Sequence, residues 1–242
     1  MADLPKKAKM FIVAVMMFAA AITVYAIGTR VPAESRVFLV LLATSIVAAR
    51  MKLTLPGFES NMSMNLPFML LAISQLSMTE AILVGAASTF VQTLPRSGQV
   101  VKPAQAVFNV CNMVNAMAIA SIVAGRTSEF AALNKPFLIA ASALAFFLAD
   151  TLPVATIISM TKPAKAFEVW TDIALMTFPY FVLSAGLAGI VAMGCQVIGW
   201  VAGGATLGVM LGVYRCFRFY FRNARPSVVV EQIAHHQAVA GD

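Results

Sequence analysis

Long apolar runs, broken only by short clusters of charge, constrain this chain more than anything else in it. Residues 10–27 and 137–160 approach or exceed the ~20 residues that a helix needs to cross a hydrocarbon core of roughly 30 Å. Inside a bilayer every backbone N–H and C=O must find its partner within the segment, so such runs read as helices. Of the 242 residues, 60% are hydrophobic and 11% charged, an imbalance beyond what a water-soluble domain carries. The fold class expected is all-α, a polytopic helical membrane bundle.

The charge clusters suggest the number of spans and their direction. Eight spans are expected, at residues 10–27, 36–49, 62–77, 80–94, 104–124, 136–160, 173–193 and 197–214. Several fall short of 20 residues and would need local thinning of the bilayer. An even number places both termini on one side. On that side lie Lys6, Lys7, Lys9, Arg50, Lys52, Arg96, Lys102, Lys162, Lys165, Arg215, Arg218, Arg222 and Arg225. Only Arg30, Arg36, Arg126 and Lys135 fall on the other. Basic residues concentrate in cytoplasmic loops, so both termini are expected in the cytoplasm. This asymmetry accounts for the net charge of +7 without any nucleic-acid partner.

Lys6–Lys9 followed by an apolar run also resembles the start of a secretory signal. The run is longer than the usual 7–15 residues, and Ile27-Gly28-Thr29-Arg30 is a poor cleavage site, so an uncleaved anchor is expected. Cys111, Cys195 and Cys216 show no CxxC spacing, which argues against a disulfide framework or a zinc site. The two histidines, His235 and His236, sit side by side near the end of the chain, so no HExxH helix can form. GxSxG, GxxxxGK[ST] and GxGxxG are also absent. A non-enzymatic protein without a cofactor is the expectation.

Chemistry is left to polar residues within the apolar spans. Gln105, Asn109, Asn112 and Asn115 recur at helical spacing on one face of span five. Gly85, Ser88, Thr89 and Gln92 follow i, i+3, i+4, i+7 in span four. Span six carries Asp150, followed by Thr151 and Pro153, while Gln75 and Glu80 lie at the external ends of spans three and four. Polar groups at such depth face the bundle interior or a wet cavity. They either hold helices together or line a ligand pocket made of Asp150, Asn109, Asn112, Asn115, Gln105, Gln92 and Ser88. At 1.5 Å per residue, Asp150 lies about 15 Å from the cytoplasmic end of its span, Asn112 about 12 Å and Asn115 about 16 Å. The acid and these two amides are therefore expected to share a level.

Gly199, Gly203, Gly204, Gly208 and Gly212 give G-x-x-x-G spacings in the last span, a signature of close helix packing inside the bundle or across a homodimer. Pro67, Pro153 and Pro179 are expected to kink spans three, six and seven. Residues 1–214 are read as the bundle, and residues 215–242 as a basic exit helix and tail. There Arg215, Arg218, Arg222 and Arg225 would share one face against anionic headgroups, and Pro226 would end or bend the helix.

A set of short motifs carries a family likeness. It comprises Leu55-Pro56-Gly57, Met62-Ser63-Met64-Asn65-Leu66-Pro67-Phe68, Glu80-Ala81-Ile82-Leu83-Val84-Gly85 and Ser88-Thr89-Phe90-Val91-Gln92. Further along come Phe108-Asn109-Val110, Thr151-Leu152-Pro153-Val154, Phe167-Glu168-Val169-Trp170 and Tyr180. In this order, over roughly residues 35–235, they resemble the membrane-embedded N-terminal region of bacterial HD-type phosphohydrolases (HD-GYP) and GGDEF diguanylate cyclases. The resemblance implies a bacterial inner-membrane module that senses a stimulus and passes it on through a helix after the last span. Neither a GGDEF nor an HD signature is present, so the output would belong to a cytoplasmic signalling protein or a further domain. Candidate partners are thus the lipid bilayer, a small-molecule or lipid ligand, such a signalling protein and a second copy of the chain. The alternatives are the substrate-binding component of a small-molecule transporter, whose usual A-x-x-x-A is missing from span one, and a structural subunit of a membrane complex.

Overall fold

A computed structural model of the protein describes residues 4–29, 35–54, 61–94, 103–128, 135–161 and 164–198, with residues 208, 209, 211, 212, 215 and 219 beyond them. The architecture is helical: α1 (Lys6–Gly28), α2 (Ser35–Ala49), α3 (Leu66–Gln75), α4 (Met78–Thr93), α5 (Pro103–Ser128), α6 (Lys135–Thr161) and α7 (Ala166–Ile198). Between α2 and α3 lies a small antiparallel ribbon of β1 (Lys52–Thr54) and β2 (Asn61–Ser63), with Leu53 opposite Met62.

Four stretches among the described residues are long and apolar enough to cross a membrane: Lys6–Gly28, Pro103–Gly125, Phe137–Thr161 and Ala166–Ala192. Their outer faces remain apolar. Met10, Val13, Met17, Phe18 and Val24 of α1 are exposed, as are Leu175, Met176, Phe178, Val182 and Ile190 of α7. In water such a surface would aggregate; in a bilayer it is the lipid contact. α5 is the innermost of the four, with 44% of its apolar stretch buried against 17% for α7.

Eight full-length spans are not what the described residues build. The segment 62–77 was expected to cross the bilayer, yet its first residues belong to β2 and its helix has 10 residues. At 1.5 Å per residue that is about 15 Å, half a hydrocarbon core. Pro67 does not kink this helix. It occupies the first turn, where its missing N–H costs nothing and its fixed φ favours helix initiation. α3 is instead an internal element, buried from Leu66 through Ile73. α2 and α4 reach 15 and 16 residues. The break expected between residues 193 and 197 is also absent, because α7 continues through it to Ile198. The eighth span, 197–214, falls largely outside the described residues.

Side-chain contacts fix the helix directions. Phe11 meets Phe108 at a ring distance of 6.3 Å, and the Asn115 amide reaches the Val15 carbonyl, so α1 and α5 run parallel. Val154 and Ile157 of α6 pack on Ile12, Val15 and Phe108, bringing the end of α6 to the start of α1 and α5. Phe181 of α7 lies against Phe147 at 4.8 Å, and Trp170 reaches Thr151, so α7 reverses direction again. Thr79 bonds to Ala26, which sets the start of α4 at the far end of α1.

Candidate functional site

The polar residues of α5 become more buried from Gln105 to Asn112. Gln105 is exposed and Asn109 half-buried, whereas Asn115 is 7% exposed and Asn112 only 1%. Asn112 lies nine residues into α5 and Asp150 eleven from the end of α6, roughly 14 and 16 Å from the same end of the bundle. At that level they meet. Asn112 Nδ2 donates to both the carboxylate Oδ1 and the backbone carbonyl of Asp150, each at 3.0 Å.

Asn115 does not join them. Its Nδ2 donates instead to the Val15 carbonyl of α1 at 3.2 Å, so the two amides tie α5 to different neighbours. A step of three along a helix turns the side chain by about 60°, enough here to exchange α6 for α1. The Oδ1 atoms of both Asn112 and Asn115 are buried without a hydrogen-bond partner. A buried acceptor without a donor costs about 1–3 kcal/mol, and both fall on α5, the helix packed against the one that holds the acid.

Beside Asp150, the Thr151 hydroxyl donates to the Phe147 carbonyl at 2.7 Å and accepts from Trp170 Nε1 at 3.1 Å. The polar line Asn112–Asp150–Thr151–Trp170 thereby runs through α5, α6 and α7. Trp170 had no place among the polar residues singled out from the sequence. Its 19-residue separation from Thr151 crosses a loop and leaves no periodic signal.

The stripe on α4 forms a second group. Ser88 accepts from Asn65 Nδ2 at 3.4 Å and donates to the Gly85 carbonyl at 3.1 Å, so it bonds at the start of α3 and not to the acid. Thr89 is buried with an unpaired hydroxyl, and Gln92 is half-buried. Gly85 has a steric role: a Cβ there would stand 2.5 Å from Met117 Cγ and 3.3 Å from Met113 Cγ. Glu80 is 6% exposed and closes a capping box, accepting from the backbone N and the hydroxyl of Ser77 while the Ser77 hydroxyl accepts from the Glu80 N–H. Ser77-Met78-Thr79-Glu80 ahead of an apolar run is a sequence signature for this device.

The seven residues expected to line one pocket therefore separate. Asn112 and Asp150 come together, Asn115 turns to α1, Ser88 belongs to the α3–α4 contact, and Gln105 is exposed. In the glycine motif, a Cβ built on Gly208 or Gly212 meets nothing within 4 Å among the described residues; Gly199, Gly203 and Gly204 lie outside the described residues. Arg215 is helical and exposed, while Arg218, Arg222 and Arg225 lie outside the described residues. No family model, curated protein or solved structure matches the chain.

Proposed function

We propose that this chain is a multi-pass helical module of the bacterial inner membrane that binds a ligand between α5 and α6 and signals without catalysing a reaction. The observation that carries the reading is the Asn112–Asp150 bond, between two helices long enough to span a bilayer. An ionisable side chain at that depth is costly, and function is the commonest reason it is retained. The output goes to a cytoplasmic partner, in the manner of the membrane regions of HD-GYP and GGDEF proteins that the sequence resembles. Native mass spectrometry of the purified protein tests this: a retained small molecule, lipid or partner that is lost on Asp150→Asn supports it, and a bare polypeptide in both cases opposes it.

Both termini are cytoplasmic in this reading. The start of α1, with Lys6, Lys7 and Lys9, shares an end with the start of α7, beside Lys165. Because α7 runs in the direction of α1 and continues to Ile198, this reading requires the chain to return after α7 for Arg215 to lie on the basic side. Cysteine placed at position 126 should label from the periplasm, and cysteine at 162 should not. The opposite pattern overturns the orientation.

A further inference from the structure

The polar centre of α5 and α6 has more acceptors than donors. Asn112 Nδ2 donates to two oxygens of Asp150, Asn115 donates to Val15 on α1, and the Oδ1 atoms of both asparagines remain unpartnered and buried. The imbalance extends to the backbone. Pro153 lies inside α6 and has no N–H, so the carbonyl of Ala149, one residue before Asp150, lacks its usual helical donor. Among the described residues no lysine or arginine forms an ion pair with Asp150; the ion pair found there joins Lys165 to Glu168 at the surface.

We propose that the carboxylate and backbone carbonyl of Asp150, together with the Asn112 side chain, form a binding site for a small monovalent cation of the sodium class. The donor set is oxygen only, which suits a hard cation, and the proline within α6 weakens the backbone hydrogen bonding one turn ahead of it, beside the acid. Charge selects the valence. One carboxylate balances one positive charge, so the occupied site is neutral in hydrocarbon, whereas a divalent ion would leave an unpaired charge there. Occupation is coupled to a movement of the Asn112 side chain. Its Nδ2 now stands 3.0 Å from two oxygens of Asp150, in the place a cation would take between them. Turning the amide over presents Oδ1 to that place, an arrangement that is repulsive until a cation separates the oxygens. The turn therefore joins the unpartnered oxygen of Asn112 to the acid and couples the α5–α6 contact to the ion.

This inference rests on reading Asn112 and Asp150 as a ligand site. The test uses the full chain in lipid nanodiscs, with thermal unfolding followed in sodium chloride and in choline chloride at equal ionic strength and fixed pH. A saturable rise in Tm with sodium, absent with choline and lost in Asp150→Asn and Asn112→Leu, is the result expected. Direct binding of ²²Na⁺ to the wild type keeps the question open to measurement even where a variant fails to fold. One saturable site displaced by unlabelled sodium and not by choline supports the proposal; no specific binding overturns it. Equal Tm in both salts, or a sodium shift that survives in Asp150→Asn, also overturns it. A protein that retains an organic ligand or partner in native mass spectrometry yet ignores sodium would refute the cation while leaving the ligand module in place.

Discussion

The hydroxyl of Thr79 donates to the carbonyl of Ala26 at 2.8 Å, clasping the first turn of α4 to the last turn of α1 across 53 residues of sequence. Ser77 and Glu80 lock the same turn from within. Thr79→Val should cost about 0.6–1.7 kcal/mol, the scale of a side-chain hydrogen bond in a membrane protein, and Ser77→Ala about 1 kcal/mol through the lost cap. Unfolding in mixed micelles measures both. A neutral Ser77→Ala would show that the tertiary clasp alone holds this end.

Gly85 marks a close approach between α4 and α5. Gly85→Ala should destabilise by about 1–3 kcal/mol, because the methyl collides with Met117, which is wholly buried and has little room to yield. Adding Met117→Ala should recover part of that loss, giving a double mutant less damaged than the sum of the singles. Strict additivity would mean that the two residues do not meet.

The Trp170–Thr151 bond is expected to couple α7 to α6. Trp170→Phe and Thr151→Val should each cost on the order of 1 kcal/mol or more, and the double-mutant cycle should return about 0.5–1.5 kcal/mol of interaction. Residual tryptophan fluorescence in a Trp200→Phe background should shift to the blue in Thr151→Val as the indole N–H loses its polar acceptor. An unchanged spectrum and zero coupling would break the proposed polar line at this step.

Asp150 separates hydrogen bonding from charge. Asp150→Asn retains an oxygen to accept from Asn112 Nδ2 and should fold with nearly wild-type stability. Asp150→Leu strands that donor, whose own residue Asn112 is only 1% exposed, and should cost about 1–3 kcal/mol. Equal loss in both variants would assign the whole effect to the carboxylate's charge.

Helix periodicity and rise were enough to set Asn112 and Asp150 at one depth, because both numbers depend only on position along a straight helix. They could not tell that Asn115 would turn to Val15, since the partner of a side chain depends on which helix lies beside it. The four long apolar helices are legible in hydropathy for the same local reason. α3 is not. Residues 66–73 are as apolar as a lipid-facing span, and hydropathy cannot distinguish burial in protein from burial in lipid. The local clues were Pro67 at the helix start and Ser77 ahead of Glu80, turn and cap chemistry that marks where α3 begins and α4 is capped.

The burial of α3 bears on how the protein is made. A ten-residue helix is too short to be held by the bilayer alone, and Phe68 at its start packs with Tyr180 and Leu187 of α7. Those partners leave the ribosome more than a hundred residues later. Until they do, one side of α3 has no protein against it. The centre of the bundle must therefore close last, after the outer helices are in place. Chains released before α7 should be the ones that the cell's membrane proteases recognise as unfinished.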